Sequence, residues 1–142
     1  MVALETTSAG MAFLFGRLFF GVVLAFMGLN HFMDTDNMAQ YAEAKDVPYP
    51  KIGVLASGAM LVLGGLAIAS GVFPFVGSAL VGIFFVVVTP AMHDFWEAEG
   101  EERQNEMIQF LKNVGLLGAA LVFLDLSMMT WPYAVNVSVF GL

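Results

Sequence analysis

Four apolar blocks of roughly twenty residues divide this chain, and at about 1.5 Å per residue in a helix each can cross a bilayer core of about 30 Å. No water reaches a peptide group inside such a core. Blocks of this length must therefore be helices, which satisfy their own N–H and C=O groups. The overall balance agrees: 59% of the 142 residues are hydrophobic and 12% are charged, too few charges to cover a soluble domain of this size. The fold class follows as all-α: a polytopic membrane protein, a bundle of four transmembrane helices expected at residues 11–33, 51–70, 74–93 and 106–127. One domain over residues 1–142 is expected. The third block contains Gly82–Val88, dense in β-branched and aromatic residues, which in isolation would read as a buried strand. Its length and the lack of a partner strand favour a helix.

Membrane lipid is thus the expected surrounding, and the charges narrow the other partners. The net charge is −7, from 12 acidic residues against 5 basic ones, with the acids concentrated in polar segments such as Glu97–Glu102. Nucleic acid, which needs a basic footprint, is excluded. Acidic segments with few lysines suit a halophile, since dense salt screens the repulsion; a merely acidic protein is the alternative. The absence of cysteine removes disulfides, thiol catalysis and thiolate metal sites. No basic residues precede the first apolar block, so that block reads as a retained helix rather than a cleaved signal.

Depth decides which of the few polar residues can meet. Asn30, His31, His93, Asp94, Lys112 and Asn113 all fall at the ends of spans that face the two longer polar segments, 34–50 and 95–106. His31 and His93 are the two histidines of the chain, and they lie in two similar motifs, GLNHF and AMHDF, where His is followed within two residues by Phe; these read as a weak internal repeat of two helical hairpins. Groups of this kind can hydrogen-bond a quinone carbonyl, relay protons or ligate a haem from two facing histidines. The plainer alternative is that both histidines cap helix ends. No zinc motif, triad or phosphate-binding loop is present, and no metal site is assigned. Arg17 and Asp125 lie toward the opposite end. An isolated charge in lipid costs about 2.5–3.5 kcal/mol, so an intramembrane ion pair between them is expected. Fourteen residues separate Arg17 from His31, which at about 100° per residue returns to nearly the same face of the helix, toward the bundle interior.

Small residues place the second helix among its neighbours, with Gly53/Ser57 at small-xxx-small spacing, and glycine-rich faces offer a surface to a protein partner or a second copy. Met38–Lys45 reads as a short interfacial helix that Val47-Pro48-Tyr49-Pro50 ends. Thr89-Pro90 is expected to bend the third helix, with the Thr89 hydroxyl satisfying a freed carbonyl. The tail from Trp131 reads as an aromatic anchor on the membrane surface. Lys45, Lys51 and Arg103 lie beside the long segments, so the positive-inside rule places those segments in the cytoplasm and the termini outside the cell membrane.

Several of these residues together resemble the DoxX family, which includes DoxD-like proteins. Arg17 within the first span, the GLNHF end of that span, the small-residue second helix and the Lys112-Asn113-Val114-Gly115-Leu116-Leu117-Gly118 start of the fourth carry the resemblance, across most of residues 11–126. The resemblance implies a small membrane subunit of a redox complex, quinone-linked in some relatives, with quinone as the implied cofactor. Arg17, His31, His93, Lys112 and Asn113 are the implied site residues, and sulfur chemistry would fall to a partner or substrate. A structural or assembly subunit and a small proton or solute transporter remain the alternatives.

Overall fold

The computed structural model of the protein describes residues 7–139. Five α-helices follow in order: α1 (Thr7–Met33), α2 (Thr35–Ala44), α3 (Pro50–Ser70), α4 (Pro74–Met92) and α5 (Gly100–Leu126), with a 3-10 turn at Phe95–Glu97. α1, α3, α4 and α5 are long and apolar enough to cross a membrane, and they make the chain a multi-pass membrane bundle. Among the described residues there is no β-sheet, only an isolated parallel bridge between Val72 and Val137. The short α2 lies across the loop end of the bundle, where residues 34–50 and 95–99 connect the spans. The tight α3–α4 turn and the chain's tail form the opposite, turn end.

Helix boundaries follow the expected blocks to within a residue except at the start of α1, which begins at Thr7 and not 11, and in α5. It begins at Gly100 and not near 106, because hydropathy reads Glu101–Glu106 as a loop whereas Glu, Arg and Gln are good helix formers. Glu101 and Glu102 also sit in its first turn, where the helix dipole favours negative charge. The early start matters for the site, because it puts Glu106 on a rigid helix.

Glycines set how the spans approach. α1 and α3 pack backbone to backbone along a seam of paired glycines, Gly21 against Gly65 and Gly28 against Gly58. A Cβ at Gly28 would stand 2.6 Å from the Gly58 carbonyl oxygen and 2.8 Å from the Val62 amide nitrogen. α3 and α4 make a similar contact near the turn end, where a Cβ at Gly64 would stand 2.6 Å from Val81 and 2.9 Å from the Gly77 carbonyl oxygen. Without a hydrophobic drive between helices in lipid, such close van der Waals contact is a main source of association. Leu24, Leu61, Ile68, Val81 and Phe85 fill the space around these seams. Gly53 behaves differently from the expectation for a small-xxx-small pair: nothing lies within 4 Å of its would-be Cβ, and Gly53 and Ser57 border a cavity instead of a neighbouring helix.

The turn end is closed by the tail, which corrects two expectations. Trp131 is not a surface anchor. Trp131 is only 1% exposed, packs edge-on against Phe13 at 5.1 Å and donates its indole N–H to the Leu126 carbonyl at 2.8 Å. Beyond it the chain is tied to the α3–α4 turn, as Val135 N–H donates to Ser70 O at 2.9 Å and Phe73 N–H to Val137 O at 2.6 Å. Nor do Arg17 and Asp125 form an ion pair. Arg17 is 1% exposed and donates to the carbonyls of Ala69 (3.3 Å), Pro132 (2.6 Å) and Tyr133, while Asp125 is exposed on α5. The physical reason lies in the tail. Carbonyls of a chain that has left its helix have no helical donor, and a buried one must find another. A guanidinium carries five N–H donors in a fixed fork and meets several carbonyls at once. Its carbon also lies 5.6 Å from the Phe13 ring centroid and 5.8 Å from that of Trp131, within cation–π range.

The expected role of Thr89 also fails. Its hydroxyl is buried without a hydrogen-bond partner, as is that of Ser78 on the same helix, so Thr89 does not compensate for the amide that Pro90 lacks.

Candidate functional site

At the loop end the spans separate around a cavity of about 600 Å³, within the size range of small-molecule sites. α1 and α5 touch near the turn end through Phe20 and Phe123, whose ring centroids are 5.1 Å apart. Farther toward the loop end, Met27 and His31 of α1 and Asn113 of α5 face a shared space. α3 and α4 supply apolar walls, among them Val54, Met60, Phe84 and Val88, and α2 roofs the space with Met38, Tyr41 and Ala42.

The cavity gathers four of the six candidate residues: His31, His93, Lys112 and Asn113. Asn30 points away and is exposed, because it lies about 100° around α1 from His31. Asp94 does not line the cavity either. It leaves the His93 position to meet Lys45, the residue that caps the end of α2, with Nζ 2.5 Å from Oδ1.

Local chemistry orients both histidines in the same way. His31 Nδ1 lies 2.8 Å from the Met27 carbonyl oxygen one turn back, and the carbonyl can only accept, so Nδ1 carries the proton. His93 Nδ1 lies 2.9 Å from Glu106 Oε2, where an ionised carboxylate imposes the same tautomer. Both neutral rings therefore keep Nε2 as a free acceptor. Asn113 adds donors: it is 6% exposed, lines the cavity and has no side-chain hydrogen-bond partner among the described residues. Lys112 Nζ is held by Gln109 Oε1 at 2.5 Å. Gly58 fixes the place of His31, since a Cβ there would stand 2.7 Å from His31 Cβ. Among the described residues no three His, Cys, Asp or Glu side chains come together around a possible metal ion.

A polar clasp holds the roof. Tyr41 O–H donates to Glu106 Oε1 at 2.7 Å, so Glu106 receives the roof tyrosine on one oxygen and His93 on the other. Tyr41, Lys45 and Glu106 were not among the residues singled out from sequence. The available signal was weak: Tyr41 and Lys45 sit one turn apart on an interfacial helix, and Glu106 reads as loop until α5 is known to start at Gly100. The environment raises the Tyr41 phenol to about 12, through burial and then through its bond to the Glu106 carboxylate. The Lys45 ammonium is also raised, chiefly by its bond to Asp94. A raised pKa means that the folded state holds the proton more tightly, so the Tyr41 contribution is complete below about pH 10 and is lost as pH climbs from about 10 to about 12. In a background where Tyr49 and Tyr133 are phenylalanine, tyrosinate absorbance should report Tyr41 ionising near 12, and Glu106→Gln should return it toward its ordinary value. An unchanged titration after Glu106→Gln would show that the clasp does not set it.

Comparisons with known proteins match this arrangement to a family. The DoxX family model matches residues 12–94, which contain α2, α3, α4, nearly all of α1 and both histidines. The Lys112–Gly118 motif lies outside the matched segment. The inner membrane protein YphA of Escherichia coli (strain K12) is 31% identical over 106 residues, which cover 71% of this chain and 74% of that protein. No solved structure matches. With over half its length under the family model and a relative of this identity and coverage, the chain belongs to the DoxX family.

Proposed function

We propose that the protein binds a quinone or quinol in the loop-end cavity and serves as a small membrane subunit of a redox complex. The observation that carries this reading is the pairing of apolar walls with convergent polar groups of complementary kind. The free Nε2 atoms of His31 and His93 accept from quinol hydroxyls, and the Asn113 amide donates to a quinone carbonyl. A ligand with alternating carbonyl and hydroxyl states uses both kinds of partner. The position at the loop end brings these groups to the boundary between hydrocarbon and headgroups, where proton exchange with water is short-range.

Two observations weigh against the other readings. A transporter needs a path through the bundle, and the turn end is filled by Trp131 and Arg17. An assembly role through the glycines of α3 would need them free, yet Gly58, Gly64 and Gly65 are consumed in contacts within the chain, and the open glycines Gly115 and Gly118 lie on α5 instead.

The test is binding of a decyl benzoquinone and its quinol to purified protein, followed by ligand-induced thermal stabilisation. Removing one hydrogen-bonding group should weaken binding about tenfold, so His93→Leu should act mainly on the quinol and Asn113→Leu mainly on the quinone. If the doubly substituted protein binds both forms as well as the wild type does, the reading is wrong.

A further inference from the structure

The cavity has two mouths, and they differ in chemistry. One faces the loop end, where the exposed residues Asp34, Asn37, Gln109 and Lys112 line it. The other faces sideways. Gly53 and Ala56 of α3 and Ile83, Val87 and Ala91 of α4 line the cavity and are also exposed on the flank of the bundle. These five residues form two facing rims without a polar side chain.

The seams explain why the slot opens between α3 and α4. The α1–α3 wall is sealed by glycine pairs at two levels, Gly21/Gly65 toward the turn end of α3 and Gly28/Gly58 two turns nearer the loop end. The α3–α4 wall has its close glycine contact at Gly64/Gly77, near the turn end. Toward the loop end Met60, Phe84 and Val88 line the cavity, and no glycine of α3 or α4 there is packed against the other helix. The slot also reaches deep. At 1.5 Å per residue, Ile83 lies about 14 Å below Met92 along α4, near the middle of a bilayer core.

We infer that this slot is a lateral portal, through which the cavity is loaded from the hydrocarbon by a polyisoprenyl quinone whose tail stays between α3 and α4. The inference rests on the reading that the cavity binds a quinone head. A solute dissolved in lipid meets the apolar rims, and one dissolved in water meets the polar mouth. The polar groups lie inside, toward the loop end, so an arriving molecule must carry a polar head on an apolar body. About 600 Å³ suits a drug-sized molecule, enough for a quinone head and the start of its tail, and the rest of a long tail has to leave the cavity. The apolar slot is the exit that costs no desolvation of polar groups.

The portal is testable because its rims accept bulk without disturbing the helix seams. Nothing lies within 4 Å of a Cβ built at Gly53, and Val87 is 61% exposed. Gly53→Trp and Val87→Trp would narrow the slot from opposite sides. The protein is placed in phosphatidylcholine vesicles with an azidobenzoquinone bearing a polyisoprenyl tail, or is given a tail-less azidobenzoquinone from the aqueous phase. Photolabelling of cavity peptides is then followed over time. Each tryptophan variant should slow labelling by the tailed probe about tenfold and leave labelling by the tail-less probe within about twofold. Unchanged labelling by the tailed probe in both variants would overturn the portal, and so would an equal loss for the two probes. Failure of both probes to label the wild-type cavity would instead remove the quinone reading beneath it.

Discussion

Gly28→Ala is expected to cost about 3 kcal/mol of bundle stability, at the upper end of what overpacking usually costs. The added methyl would stand 2.6 Å from the Gly58 carbonyl oxygen and 2.8 Å from both the Val62 amide nitrogen and its Cγ2. Two of those three atoms are backbone and cannot rotate away, so relief requires α1 and α3 to separate. Separation loosens the whole Gly21/Gly65 and Gly28/Gly58 seam and moves His31, which packs on Gly58. Gly16→Ala supplies the contrast on the same helix. Its Cβ meets nothing within 4 Å, and removing a helical glycine should stabilise by about 1 kcal/mol or less. Unfolding of the purified protein in mixed micelles with increasing sodium dodecyl sulfate measures both. Equal midpoints for Gly28→Ala and Gly16→Ala would mean that the seam does not hold the fold.

Arg17→Met should be at least as costly, about 3–5 kcal/mol, by analogy with removing one partner of a buried charged group. The loss is not that of an ion pair. Methionine preserves the apolar stem but takes the guanidinium donors from the carbonyls of Ala69, Pro132 and Tyr133. The tail would then have less reason to stay folded over Phe13 and the α3–α4 turn, and chymotrypsin should cut it after Tyr133. Arg17→Lys should fall between the two, because a single ammonium cannot span three carbonyls as a planar fork does. Asp125→Asn should be nearly silent, within about 0.5 kcal/mol, since Asp125 is an exposed residue without an ion-pair partner among the described residues. A large effect at Asp125 with protection of the tail in Arg17→Met would restore the ion-pair account.

Both predictions depend on features that were legible to different degrees. The four spans were readable because lipid leaves a long apolar block no alternative to a helix. The depth of each polar residue was readable as well, because distance along a helix converts directly into depth. That is why His31, His93, Lys112 and Asn113 can be placed together at the loop end from sequence, and they do line one cavity. The family resemblance rested on the same stretches, and the family match falls on residues 12–94.

What sequence could not supply was rotation and partner choice. Asn30 and His31 have almost the same depth, yet one faces out and the other in, and that depends on how α1 is turned against α3 by the glycine seam. Opposite charges at similar depth made Arg17 and Asp125 look like a pair. The tail, an apparently irregular run of 13 described residues after α5, brought carbonyls that satisfy the guanidinium better. Glu106 looked like part of a charged loop until the helix carried it beneath Tyr41 and beside His93. The sequence alone determined that this chain crosses a membrane four times and at which end its polar residues gather, because both follow from length and solvation. The tertiary structure decided which of them share a cavity, what holds Arg17, and where the bundle opens, because those depend on helix rotation and close backbone contact that no one-dimensional pattern encodes.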